Sequence, residues 1–113
     1  MARCKVNYKI NDEHFETLGI LKDNKLTFME NDIKFSLTFN NDSIIIIREN
    51  SEYKLKLTLG STSNCTYNLK NTNIGTLNIE VVNKLLEIKE GLIKSKYKLD
   101  DLLFNLYLTY EVI

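Results

Sequence analysis

Apolar and polar residues alternate one by one along most of this 113-residue chain, most clearly in residues 4–10, 33–39, 53–59 and 104–110. Successive side chains of a β-strand point to opposite faces, so this alternation predicts strands with one apolar face and one solvated face. Such strands are typical of antiparallel sheets.

Short polar segments interrupt the alternation about every eight to twelve residues, the spacing found in sandwiches and barrels. They include Asp23-Asn24, Asn31-Asp32, Asn40-Asn41-Asp42, Glu49-Asn50-Ser51, Asn71-Thr72-Asn73 and Asp100-Asp101. Asn and Asp tolerate turn dihedrals and can bond their own backbone, so they predict tight hairpin connections in a chain that has no proline.

Residues 81–92 fit two patterns. Their apolar residues have a helical spacing that Gly91 could end, and a helix here stays an alternative. The alternation on either side favours two strands joined near Glu90-Gly91, which is our interpretation.

The apolar faces carry ten of the eleven aromatic residues, and only Tyr107 falls on the opposite face. Strands with one crowded apolar face need a second layer or closure to bury it, and closure also removes exposed edges. We therefore predict an all-β fold: one antiparallel meander barrel of about eight to ten strands, forming a single domain over residues 1–113. The interior of such a barrel is either filled by side chains or holds one small ligand.

Charge and hydropathy exclude several classes of function. Fifteen basic and fifteen acidic residues give a formal net charge of zero, which disfavours nucleic acid and anionic membranes as partners. Residues 1–5 have no apolar run behind their charges, and the longest apolar run, Ile44–Ile47, is too short to cross a bilayer. We expect a cytoplasmic protein in which Cys4 and Cys65 remain unlinked thiols.

No group of residues in the sequence has the pattern of a catalytic or metal site. His14 is the only histidine, and a solvated turn residue is preferred over a general base or ligand. Cys4 and Cys65 are interpreted as small buried hydrophobic residues. Residues 60–64, Gly-Ser-Thr-Ser-Asn, could offer donors to an anion but lack the lysine of a phosphate loop. We predict no enzyme activity, no metal and no other cofactor.

Six residues are candidates to line a ligand site inside the barrel: Tyr8, Tyr53, Tyr67, Tyr97, Tyr110 and Arg48. A buried phenol needs a hydrogen-bond partner, and converging hydroxyls would give an apolar cavity a few polar anchors. In the alternative, the rings fill the interior and the hydroxyls reach water.

Arg48 shares a strand face with Ile44 and Ile46. A guanidinium on the inner face would require a partner, for which Glu30 and Glu111 are the candidates. The alternative is an exposed arginine at the end of a strand.

These features lead to three hypotheses. The first is a non-enzymatic barrel that binds a small apolar ligand. The second is a filled barrel that serves as a structural or protein-interaction module, or forms a homo-oligomer, through Tyr107 and the lysine rows. The third is weak RNA binding through the same rows, whose lysines otherwise serve to discourage edge aggregation. The lysine rows are Lys54 and Lys56, and Lys94, Lys96 and Lys98.

Short motifs over nearly the whole chain carry a resemblance to a known family. They are Phe15-Glu16-Thr17-Leu18-Gly19, Met29-Glu30, Ile45-Ile46-Ile47-Arg48, Gly60 with Ser61 to Ser63, Tyr67, Gly75-Thr76-Leu77, Gly91-Leu92-Ile93 with Tyr97, and Leu108-Thr109-Tyr110-Glu111. The chain resembles the YwiB-like family of small bacterial proteins of unknown function, whose members are similar to the calycins, the lipocalin-like β-barrels.

The resemblance implies a calycin-like barrel and no established activity. Two segments depart from the family pattern: the spacing from Tyr67 to Gly75 is longer than usual, and the turn at Asn31-Asp32 is shorter. The lipocalin signature requires a tryptophan, and this chain has none.

Overall fold

The computed structural model describes residues 1–113 and consists of strands and their connections. The strands are β1 (Ala2–Ile10), β2 (Glu13–Lys22), β3 (Lys25–Glu30), β4 (Ile33–Phe39), β5 (Ile44–Glu49), β6 (Tyr53–Leu59), β7 (Asn64–Leu69), β8 (Thr76–Ile79), β9 (Val81–Lys89), β10 (Leu92–Leu99) and β11 (Leu102–Val112). Residues 81–92 form β9, the turn at Glu90-Gly91 and the start of β10, which confirms the strand interpretation. A membrane-spanning helix is absent from the structure.

Asn or Asp begins four of the five two-residue hairpin turns, as their chemistry predicted. Asn11, Asp23, Asn31 and Asp100 have φ between 52° and 54°, in the left-handed region. Their short polar side chains make this conformation less costly than it is for most other residues. The turns therefore connect neighbouring strands directly and keep the chain a meander.

All eleven strands belong to one antiparallel sheet in the order β8-β7-β6-β5-β4-β3-β2-β1-β11-β10-β9. The two end strands, β8 and β9, are consecutive in the chain and are separated only by Glu80. The segment Thr76–Lys89 thus joins both edges of the sheet, and the Glu80 carbonyl accepts a hydrogen bond of 2.9 Å from the Asp100 amide. The result is a nearly closed barrel, which confirms the predicted antiparallel meander barrel.

The predicted count of eight to ten strands is wrong, because the chain forms eleven. Glu80 divides one apparent strand into β8 and β9. Within β9, Leu85 lies opposite Lys96 and Asn83 opposite Tyr97, so Lys84 is an extra, unpaired residue in a β-bulge. A bulge reverses the inward and outward alternation. This reversal of faces within β9 gave the apolar residues of 81–92 the helix-like spacing noted in the sequence.

The core contains sixteen buried hydrophobic residues in one cluster. Cys4 and Cys65 belong to it as free thiols, as predicted. Gly19 is paired with Cys4 on one side and Phe28 on the other. A Cβ at Gly19 would lie 2.9 Å from the Thr27 carbonyl oxygen, so only glycine lets these strands approach so closely.

Candidate functional site

The two ends of the barrel differ. Hairpins alternate between the ends, so the turns at Asn11-Asp12 and Asp100-Asp101 lie at one end and those at Asp23-Asn24 and Glu90-Gly91 at the other. A cavity of about 540 Å³ opens at the end that carries the turns Asn11-Asp12 and Asp100-Asp101, which we call the open end. Fourteen of its nineteen lining residues are hydrophobic, so its volume and character are those of a small-molecule site.

Three stacked aromatic pairs form much of the cavity wall. Tyr8 stacks on Phe15 with centroids 5.0 Å apart, Phe28 on Phe35 at 4.9 Å, and Tyr97 on Phe104 at 5.5 Å. Each pair consists of directly opposed residues on neighbouring strands. The register of the sheet therefore builds the wall, and cross-strand stacking stabilises it.

Tyr8 and Glu30 form a polar pair inside this wall. The Tyr8 hydroxyl donates a hydrogen bond to the Glu30 carboxylate, and both residues line the cavity. Burial, followed by this hydrogen bond, raises the pKa of Tyr8 well above its usual range, whereas nearby Arg48 lowers it. The phenol therefore stays protonated and satisfies one carboxylate oxygen.

Arg48 points into the cavity, and its guanidinium carbon lies 4.9 Å from the centroid of the Phe35 ring. Its Nε is buried and has no hydrogen-bond partner. The ion pairs of the protein join Lys70 to Glu49 and Lys89 to Glu87, so Arg48 has no paired carboxylate. A buried donor without a partner costs about 1–3 kcal/mol, and a cation over an aromatic face gains about 0.5–2 kcal/mol.

Tyr97 lies on the facing part of the wall and is 5% exposed. Burial is the main cause that raises its pKa to about 12, and the charge of Arg48 opposes this effect. Tyr8, Tyr97 and Arg48 all line the cavity, and the charge of Arg48 lowers the pKa values of both phenols. The Tyr97 hydroxyl has no hydrogen-bond partner in the protein.

The structure brings together three of the six residues predicted to line a ligand site, namely Tyr8, Tyr97 and Arg48. Tyr53 and Tyr67 stack on each other with centroids 5.5 Å apart and do not line this cavity. Tyr110 packs against Phe39 at 5.9 Å and borders a second pocket at the opposite end.

Of the two partners considered for Arg48, Glu111 borders the opposite pocket and Glu30 is bonded to Tyr8. The sequence analysis did not place Glu30 beside Tyr8, nor the turn residues Asn11 and Asp12 at the cavity mouth. The signal that could have found them is the pairing of neighbouring strands, which brings the ends of β1 and β3 to the same end of the barrel.

The remaining candidates lie outside the cavity. His14 is exposed on β2, and no three acidic, His or Cys side chains lie close enough to hold a metal ion. Residues 60–63 form the connection between β6 and β7. Lys94 and Lys96 are exposed, as is Tyr107, which is directly opposite Lys94.

These features define a class: an antiparallel meander barrel with an apolar, aromatic-walled cavity open at one end. A solved structure with a similar fold is that of the ywiB protein from Bacillus subtilis, which matches over 98% of this chain and 89% of that one with a TM-score of 0.64. The resemblance expected from the sequence is thus confirmed for the fold; the two sequences are 17% identical. No family model and no curated protein matches the sequence.

Proposed function

We propose that the barrel binds a small, largely apolar molecule in its cavity and performs no covalent chemistry on it, in the manner of a calycin-like carrier. One observation carries this proposal: a chain of 113 residues leaves about 540 Å³ of aromatic-walled space unfilled. Protein interiors are normally packed to crystal-like density, so an unfilled space of this volume forfeits stabilising contacts. A ligand that occupies the space restores them.

The unpaired thiols Cys4 and Cys65 support placing this function in the cytosol, where disulfides are rare.

Titration with N-phenyl-1-naphthylamine, a neutral apolar dye whose fluorescence rises in apolar surroundings, tests the proposal. We expect saturable binding to one site per chain. Leu55 lines the cavity and is half-buried, so Leu55→Trp narrows the cavity at little cost to the fold and should weaken binding at least about tenfold. Lys56→Trp adds the same indole to the exposed outer face and should bind the dye like the wild type.

Equal dye binding by wild type and Leu55→Trp would contradict the proposal, because the dye would then be bound elsewhere. Native mass spectrometry of protein purified from its host gives an independent measurement. There we expect an added mass on the wild-type chain that is reduced in Leu55→Trp.

A second candidate function is protein binding through the outer face of β9–β11. There Lys98 lies between Val82 and Leu103, and Lys94 between Glu87 and Tyr107, so apolar side chains flank the lysine row. Val82, Leu103 and Tyr107 are 43–49% exposed. Lysine cross-linking in cell extract tests this candidate. It predicts links from Lys94 and Lys96 to one protein that disappear in Tyr107→Glu, and links scattered over many proteins would contradict it.

A further inference from the structure

Two polar groups in the cavity have hydrogen-bond donors that no protein atom accepts. Arg48 has a buried, unpartnered Nε and no ion pair. Tyr97 lines the same cavity, and its hydroxyl also has no partner. The Glu30 carboxylate accepts the Tyr8 hydroxyl, and none of the three carboxylates that line the cavity forms an ion pair with Arg48. The polar requirement left unmet in this cavity is therefore for an acceptor.

The surroundings of Arg48 specify a charged acceptor rather than a neutral one. Phe35 and Leu55 are its directly opposed neighbours on β4 and β6, and Ile46 precedes it on the same face of β5. Such apolar side chains offer a cation no acceptor, so a counter-charge close to Arg48 is stabilising. A guanidinium presents several donors in one plane, which fit a carboxylate in a bidentate arrangement.

We infer that the cavity binds an amphipathic organic monoanion: an apolar body among the aromatic pairs and one carboxylate on Arg48, with the Tyr97 hydroxyl as a second donor. This inference rests on the proposed function and names the chemical class of its ligand.

The charges at the cavity mouth favour one negative charge over two. Asp12, Glu13 and Glu30 all line the cavity; Asp12 lies in the turn between β1 and β2, Glu13 begins β2, and both are exposed. Arg48 is the only basic residue of the lining. A single carboxylate that reaches Arg48 is neutralised there, whereas a second carboxylate at the mouth would face three acidic side chains.

Displacement of N-phenyl-1-naphthylamine by three ten-carbon compounds tests the inference. Decan-1-ol is the neutral reference, decanoate adds one charge, and decanedioate adds two. For the wild type we expect decanoate to displace the dye at a concentration about ten- to hundredfold lower than decan-1-ol, the advantage of a charge-assisted hydrogen bond. Decanedioate should displace the dye only at a concentration at least about tenfold higher than that of decanoate.

Arg48→Met keeps a long apolar side chain and removes the charge. In this variant we expect decanoate and decan-1-ol to displace the dye at similar concentrations. The concentration of decan-1-ol required should differ less than about threefold from that for the wild type. Lys56→Met, which removes a positive charge from the outer face, should behave like the wild type. Tyr97→Phe removes a single hydroxyl and should weaken the binding of decanoate about three- to tenfold. Thermal melts establish that each variant is folded.

The outcomes separate the two proposals. If neither the dye nor decan-1-ol binds the wild type, both proposals are overturned. If the dye binds but decanoate has no advantage over decan-1-ol, the anion inference is overturned and the apolar site remains. An equal loss of decanoate and decan-1-ol binding in Arg48→Met also overturns the inference, because Arg48 would then only support the shape of the cavity.

Discussion

Arg48 has no acidic partner in the barrel. It projects from the end of β5 over the Phe35 ring, with a buried Nε that bonds to nothing in the protein. An apolar residue of the same length would avoid the cost of partly desolvating a charge. A partly buried charge that lines a cavity and has no protein partner is a candidate for a functional role.

Tyr97 gives the protein a specific dependence on alkaline pH. Its pKa is about 12 in the folded protein because burial disfavours the phenolate, against 10.0 for an unperturbed tyrosine. The stability that comes from the protonated phenol is therefore complete below pH 10 and is lost as the pH rises towards 12. One proton corresponds to a slope of at most about 1.4 kcal/mol per pH unit.

We expect Tyr97→Phe to flatten the alkaline loss of stability. Urea unfolding at several pH values between 8 and 11 measures the free energy of unfolding for both proteins. The wild type should lose stability more steeply above pH 10, and the variant should retain only the loss due to its other groups, including Tyr8. Parallel curves for the two proteins would show that Tyr97 titrates alike in the folded and unfolded states.

At the scale of the strands, β8 is the weakest part of the barrel. It has four residues, pairs only with β7, and is exposed except for the half-buried Ile79. By contrast, β1 pairs on both sides and buries Cys4, Val6 and Tyr8. Strands with few buried contacts open locally at low free-energy cost.

Native-state hydrogen exchange should therefore separate β8 from β1. We expect the amides of Leu77 and Asn78 to exchange at least about a hundredfold faster than those of Val6 and Tyr8. Protection in β8 equal to that in β1 would mean that the barrel opens only as a whole, with β8 fixed as firmly as the central strands.

The order of apolar and polar residues along each segment explains which elements could be predicted from the sequence. Strands such as β1, β4 and β11 have one buried face over most of their length, so alternation in the sequence reports them directly. In β9, the unpaired Lys84 changes which face each residue occupies. A bulge of this kind depends on pairing with β10, a tertiary contact that local periodicity does not contain.

The same limit applies to the candidate site. Alternation assigns a tyrosine to the inner face but does not give its height along the barrel. Tyr8 and Tyr97 lie at the level of the cavity, whereas Tyr110 borders the pocket at the opposite end. The pairing of Tyr8 with Glu30 depends on the register that links β1, β2 and β3, which the sequence pattern leaves undetermined.

At the scale of the whole molecule, closure and asymmetry create the cavity together. The segment Thr76–Lys89 joins the two edges of the sheet, while fully buried side chains such as Leu26, Ile44 and Leu59 fill the barrel away from the open end. A ligand in the cavity contacts strands from most of the circumference. Its binding free energy should therefore add to the stability of the entire barrel rather than of one hairpin.

Thermal unfolding with and without N-phenyl-1-naphthylamine measures this coupling. At a free dye concentration ten times its Kd, linkage predicts about 1.4 kcal/mol of added stability, which raises the Tm by about 5 °C for a domain of this size. At the same dye concentration Lys56→Trp should show the same increase. Leu55→Trp, which narrows the cavity and binds the dye at least about tenfold more weakly, should gain at most about 0.4 kcal/mol. A dye that binds the wild type tightly without raising its Tm would have to bind the unfolded chain equally well, and the folded cavity would then not be its site.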